Sequence, residues 1–296
     1  MIRLTRGIGM NHSIVYSAVV RVAALMGLIL SAGSRAVAVD FPQGLMLHFN
    51  FDPREGGGVV TDRTGRNNTG HAFGAAWTAL GKQAGGYDFT ATNNYILVTH
   101  SPSLNSTQAT WAVWFKTAKS DALSRYILEK SKENGYALSV YGASKDDPKK
   151  GRLCLSVNGH MCFSDKAVTD NTWHHGAATY DGENVKLYVD GQLQQQVTAW
   201  KGGIAANTNE LTLGLNRSNP TAAEKGQSFE GTIDEVMIFN HALTEAEVKV
   251  VIAAMKPAFT KEQVARRLIE LKELLDRGLI LKDFYDRKVK ECEVPP

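Results

Sequence analysis

The sequence predicts an all-β protein: two antiparallel sheets packed face to face, followed by a short C-terminal α-helical hairpin. Three observations predict it. Strand-like segments recur every ten to fifteen residues, with Gly, Asn, Asp and Pro between them. The best of these segments, Val185-Lys186-Leu187-Tyr188-Val189, alternates with period two and runs into Asp190-Gly191, a strong hairpin signal. Continuous helical periodicity is missing until about Thr244. Segments with this spacing bury their apolar faces as two packed layers.

Residues 1–38 read as a secretion leader. Val22 to Leu30 is an apolar run too short to span a bilayer, and Ala36-Val37-Ala38 fits the small-x-small cleavage rule. Export is expected, with cleavage after Ala38 and no transmembrane segment in the mature chain; the alternative reading is an uncleaved membrane anchor. The 296 residues carry a net charge of +3, and 43% are hydrophobic, enough for a sizeable core. The positive excess lies in the leader, at Arg3, Arg6, Arg21 and Arg35; without these, 29 basic residues face 30 acidic ones. A neutral mature chain lacks the basic stripe that nucleic acid requires.

The sandwich occupies residues 39–256. Leu45 to Asp52 (LMLHFNFD) reads as its opening strand. Asp62-Arg63-Thr64-Gly65 and Asn68-Thr69-Gly70 form a loop, and Tyr95 to Leu104 opens on a strand. Thr110 to Phe115 (TWAVWF) places Trp111, Val113 and Phe115 on one face, and Ala112 and Trp114 on the other. Leu153 to Phe163 is a hairpin turning at Asn158-Gly159, and its register decides the fate of two cysteines. A three-residue loop sets Cys154 opposite Cys162, where an oxidising compartment would favour a disulfide. A two-residue loop puts the thiols on opposite faces, out of reach of each other. Cys292 is left over in the count. Trp173 to Gln192 (WHHGAATYDGENVKLYVDGQ) contributes two strands and two tight turns, and Gly231 to Phe239 (GTIDEVMIF) closes the sheet pattern.

Six of these stretches, in this order, resemble the laminin-G-like, concanavalin A-like jelly-roll domains. Their core pattern is W-H-H, small apolar residues, T-Y-D-G and L-Y-V-D-G. The departures are Gly176, where a Val is usual, and Thr90-Ala91 after Phe89, where Asp-Gly is usual. The resemblance implies a concanavalin A-like jelly-roll sandwich. It also implies a structural Ca²⁺ held by Asp52, Asn68 and Asp234, since hard oxygen ligands suit this ion.

Thr244 with Glu247 makes a capping box for a short helix, which Pro257 limits. Residues 257–259 form a linker. Residues 260–293 carry Val264, Leu268, Leu271, Leu274 and Leu275 at helical spacing, then Gly278 as a stop signal and a second helix. The pattern of Leu268, Leu271-Lys272, Leu274, Gly278, Ile280 and Tyr285 resembles the SHOCT helical hairpin. Leu281 stands where such hairpins usually carry a capping Thr, a loss of about 1 kcal/mol. So short a hairpin needs something to pack on, and self-association through 260–293 is one way to supply it.

Chemistry is sparse. Jelly-roll glycoside hydrolases of the laminarinase type need two carboxylates on one face of a strand, about 5 Å apart, as nucleophile and acid/base. The nearest set is Glu230, Asp234 and Glu235, and strand parity separates Glu235 from the other two. His174 and His175 are adjacent in a strand and cannot chelate one ion together. Tyr126, Tyr136, Tyr188 and Trp200 are candidates to line a ligand surface, because sugar rings stack on flat aromatics. The expected function is an exported, non-catalytic module binding glycan or protein, secreted or in the cell envelope. The alternatives are an assembly protein that oligomerises through the hairpin, and a glycoside hydrolase.

Overall fold

The computed structural model describes residues 41–291 apart from 53, 84, 132–133, 218–226 and 256–260. Residues 1–38, for which a leader is expected, and Cys292 lie outside the described residues. Residues 40–257 form one compact unit, and the C-terminal helical hairpin falls in a second.

The first unit is the expected sandwich. With strands numbered in chain order, the first sheet runs β14 (Gln192–Ala199), β13 (Asn184–Val189), β12 (Trp173–Tyr180), β7 (Ala109–Lys116), β16 (Gly231–Phe239), β5 (Gly85–Phe89) and β4 (Ala76–Gln83), with β1 (Leu45–Phe49) also paired to β16. The second runs β11 (His160–Ala167), β10 (Arg152–Val157), β9 (Tyr136–Val140), β8 (Arg125–Lys130), β15 (Leu211–Leu213), β6 (Tyr95–Val98), β3 (Gly70–Phe73) and β2 (Val59–Val60).

The core between the sheets holds Trp111, Val113 and Phe115 from β7, Val185 and Leu187 from β13, and Leu153 and Leu155 from β10. A second apolar layer lies on the outer face of the first sheet. There Ala112, Trp114, Ala177, Tyr188, Met237 and Phe239 are covered by Val248 and Val251 of helix α1 (Glu245–Ala254). The capping box of α1 is present: Thr244 Oγ1 accepts from Glu247 N at 3.3 Å, and Thr244 N donates to Glu247 Oε2 at 2.8 Å.

The turns follow their residue chemistry. Asp190 (φ +52°) and Gly191 (φ +79°) close β13 onto β14 with a two-residue loop. The Asp190 carboxylate then ties this turn to β12, accepting from His175 N at 2.8 Å and meeting His174 Nδ1 at 2.8 Å. Asp181 Oδ1 accepts from Glu183 N and Asn184 N in the preceding turn.

The hairpin register settles the cysteines. Val157 pairs with His160 and Leu155 with Cys162, so the loop is the two residues Asn158-Gly159. Cys154 faces Phe163 instead of Cys162, and no disulfide joins the two buried cysteines. The bridge expected from an oxidising compartment is therefore corrected by strand parity. Cys162 Sγ contacts Gln196 O at 3.3 Å in the first sheet.

In the second unit, α2 (Lys261–Asp276) and α3 (Lys282–Glu291) form the helical hairpin, joined through Gly278 at φ +65°. Leu271 and Leu274 are buried, while Ile269 and Leu281 are exposed.

Gly176 explains its own departure from the jelly-roll pattern. A Cβ added there would lie 2.9 Å from Leu153 Cδ2 and 3.0 Å from Phe115 Cε1. The two sheets close onto the bare backbone of β12. Gly176→Val should overpack this contact and lower stability by about 1–3 kcal/mol in chemical denaturation. An unchanged midpoint would show that the layer is looser than described.

Candidate ligand-binding site

At one end of the first sheet, the close of β7 and the start of β16 frame an open cleft of about 320 Å³. That volume is at the low end for ligand sites. It is lined by Lys116, Thr117, Lys119, Asn171, Glu230 and Thr232, among others. Gly231 makes the frame possible. It sits at φ +149°, and a Cβ there would be 2.1 Å from Lys116 O, so only glycine lets β16 begin so close to β7.

The walls are cross-braced. Thr117 Oγ1 donates to Glu230 O at 2.6 Å, and Asn171 N donates to Thr117 O at 3.0 Å. Lys119 Nζ lies 3.1 Å from Glu230 Oε1 and 3.7 Å from Asp121 Oδ2. Arg125 bridges the same two acids, pairing with Asp121 and approaching Glu230 Oε1 at 3.6 Å. Burial alone would raise the Asp121 carboxyl, but the Leu123 N–H and the Arg125 and Lys119 cations hold it below its ordinary range. Thr232 Oγ1 donates to Asp88 Oδ1 at 2.6 Å, leaving its lone pairs for a ligand hydroxyl. The cleft is thus a fixed array of alternating donors and acceptors with balanced charge.

The aromatic residues expected to bind ligand lie elsewhere. Tyr126, Tyr136 and Tyr188 are buried, and Tyr136 packs on Trp111 at 4.8 Å in the core. Tyr188 lies in the layer beneath α1. Trp200 is half-buried, and its ring is stacked with His160 at 5.0 Å and with Tyr180 at 5.3 Å. As placed, the three tyrosines offer no open ring face, because apolar area that can be buried between layers is buried. The cleft residues come from three separate connections, and the only local signal for them is a glycine immediately after Glu230.

The carboxylates of β16 are occupied internally. Asp234 is fully buried; its Oδ2 accepts from Gln83 N at 2.8 Å, and its Oδ1 from Glu235 N at 2.8 Å. A β-bulge at Glu235 (φ +50°) breaks the strand alternation, and Glu235 Oε2 meets His48 Nε2 at 2.9 Å. Asp52 Oδ1 accepts from Gly85 N at 2.5 Å. Burial, reinforced by the Glu235 charge, pushes Asp52 up to about 6 and Asp234 well above its ordinary range. Glu230 stands apart from these acids in the lysine and arginine pairs of the cleft.

Asp234 and Asp52 therefore hold the backbone N–H groups of Gln83 and Gly85, whereas Asn68 has other partners. Its Nδ2 donates to Met46 O at 2.9 Å, and its Oδ1 accepts from Ser103 Oγ at 3.1 Å. Its backbone N–H goes to Asp62, which clasps the loop after β2. Among the described residues, no three His, Cys, Asp or Glu side chains converge as metal ligands. Asp52 Oδ1, both Asp234 carboxylate oxygens and Asn68 Oδ1 accept hydrogen bonds from within the protein, and the three side chains of the expected calcium set share no partner.

The two histidines separate as strand geometry requires. His174 sits between Asp190 (2.8 Å) and Asp170 (3.1 Å), and its bond to Asp190 raises its pKa despite burial. His175 is fully buried and edge-on to Trp114 at 5.3 Å. Burial lowers it to about 3, so it stays neutral and adds to acid sensitivity below about pH 6.5.

A family model described as the concanavalin A-like lectin/glucanases superfamily matches residues 90–249. Among solved structures, domain 4 of AbnA, an extracellular GH43 arabinanase from Geobacillus stearothermophilus in complex with arabinotriose, is 20% identical with a TM-score of 0.54. That match covers 70% of this chain and 98% of that one. The binding domain of Paraclostridial Mosquitocidal Protein 1 is 17% identical with a TM-score of 0.54, over 71% of this chain and 52% of that one. A botulinum neurotoxin type C structure, described by cell entry that depends on two ganglioside molecules, is 13% identical with a TM-score of 0.53, over 72% and 51%. The chain thus spans about half the length of the toxin structures it matches. No curated protein matches the sequence.

The raised Asp52 gives a signed prediction. Between its unfolded value of 3.8 and its folded value of about 6, the folded state holds a proton that the unfolded chain has released. Its contribution to stability therefore falls as pH rises through that window. Asp52→Asn should melt above the wild type near pH 7.5, with the gap closing by about pH 4. Taking the difference between the two proteins cancels the opposing effect of His175. A variant that melts lower at pH 7.5 would mean that the charged form is the stabilising one.

Proposed function

The chain belongs to the concanavalin A-like lectin/glucanases superfamily, and on that premise we propose that it is an exported, non-catalytic module that binds glycan. The observation that carries the reading is the open polar cleft at Lys116–Lys119 and Glu230–Thr232. A glycan presents closely spaced hydroxyls, each both donor and acceptor. Lys119 and Glu230, held 3.1 Å apart, offer a charged donor beside a charged acceptor, which matches two neighbouring hydroxyls. Thr232 and Asn171 add neutral polar contacts. Because these groups brace one another before a ligand arrives, little side-chain ordering remains to be done on binding.

Two findings support the reading further. The similar structures include a domain in complex with arabinotriose and a toxin described with gangliosides. The β16 acids are engaged inside the protein, and Glu230 is paired with cations, so a nucleophile and acid pair facing one groove does not form among them. This favours binding over hydrolysis. An extracellular or envelope location fits both the leader-like residues 1–38 and this function.

A second reading, assembly through the α2–α3 hairpin, is favoured by the exposed Ile269 and Leu281. It is compatible with the first.

An immobilised glycan panel tests the proposal, using neutral arabinan, xylan and glucan oligosaccharides and sialylated glycans. The wild type should bind at least one class without releasing reducing ends. Lys119→Ala and Glu230→Ala should each weaken that binding roughly ten- to a hundredfold, the range for hydrogen bonds to charged groups. Absence of binding to every class, or glycan cleavage lost in Glu230→Gln, would overturn it.

A further inference from the structure

Of the described phenylalanines, tyrosines and tryptophans, Phe73 alone is exposed, at 44% of its surface. Its surroundings are ordered. Along β3, Gly70 and Ala72 turn toward the core, and Phe73 points to the outer face of the second sheet with His71. Phe73 pairs across the sheet with Tyr95 of β6, and their rings stack at 4.9 Å with only 20° between planes. The guanidinium of Arg217 lies over the Tyr95 ring at 5.0 Å. Arg217 Nε is in turn 3.4 Å from Glu210 Oε2, and both side chains are about 40% exposed. Three planar groups from three strand ends are thus layered at one surface, with a half-exposed acid and base beside them.

This combination has a specific chemistry. A single exposed phenylalanine is ordinary on a protein surface; what sets Phe73 apart is its ring stacked on Tyr95 with a guanidinium over that second ring. A ring already stacked on a second ring is a rigid apolar plate. The C–H face of a sugar ring is the natural partner for such a plate. A purely hydrophobic partner would leave Arg217 and Glu210 unused, whereas the hydroxyl edge of a sugar would engage both.

We infer that Phe73, Tyr95 and Arg217, with Glu210, form a stacking platform for one sugar ring of the bound glycan, distinct from the cleft at Lys119 and Glu230. The inference rests on the glycan-binding reading above and deepens it. Phe73 supplies the open face, Tyr95 fixes the plane of Phe73, and Arg217 and Glu210 bind ring hydroxyls.

The test uses the full chain and the glycan class that binds best on the panel, titrated by calorimetry against the wild type, Phe73→Ala and Phe73→Trp. Phe73→Ala should stay folded and lose no more than about 4 °C of melting temperature, the cost of one cross-strand ring contact, and should weaken binding about three- to tenfold. Phe73→Trp should bind at least as well as the wild type. Saturation of the aromatic protons should transfer to the C–H protons of one sugar face in the wild type, and this transfer should drop in Phe73→Ala. Equal affinity for the wild type and Phe73→Ala would sink the platform while leaving glycan binding at the cleft intact. Failure of the wild type to bind any glycan would sink both.

Discussion

The structure depends on burying the central strand β7 on both faces. Its odd-numbered side chains, Trp111, Val113 and Phe115, fill the space between the sheets. Its even-numbered ones, Ala112 and Trp114, sit beneath α1. A strand buried on one side needs only alternation. One buried on two sides needs apolar residues throughout, and TWAVWF supplies them. Everything adjacent must then conform: β12 gives up a side chain at Gly176 so that the layers can touch, and Asp234 of β16 is sealed in as a backbone acceptor.

That constraint decides where function can reside. Aromatic area is the most valuable core material in such a sandwich, and nearly all of it is used for packing. The acids on β16 are likewise consumed in holding bends and a bulge. What remains available to a ligand lies at strand ends and on the outer face of the second sheet. There, rim connections expose Lys119, Glu230 and Thr232, and the short strand β3 leaves Phe73 uncovered. Binding groups on edges, carried by a rigid two-layer frame, are pre-positioned without weakening the core.

Much of the architecture was legible in the sequence because it rests on period and turn chemistry. The face assignments of β7 and β13, the Asp190-Gly191 turn and the Thr244–Glu247 cap all follow from local rules. The cysteine pair was not decidable, because it turned on one residue of loop length at Asn158-Gly159. The site was poorly legible. Tyr126, Tyr136 and Tyr188 have the composition of a sugar surface but the register of core positions. Asn68 carries the family pattern, yet Met46 and Ser103 claim its side chain. The residues of the cleft are far apart in sequence, and no local pattern joins Lys119 to Glu230. Phe73 became informative only once its exposed ring was seen to stack on Tyr95.

The central claim is that a closed, rigid sandwich binds glycan at its rim without reacting with it. Hydrogen exchange of the full chain, with and without a bound oligosaccharide, addresses it most directly. The account predicts slower exchange confined to residues 116–119, 171 and 230–232 and to the ends of β3 and β6, with the oligosaccharide recovered intact. Protection centred instead on Asp52 and Asp234, or recovery of a cleaved oligosaccharide, would contradict it.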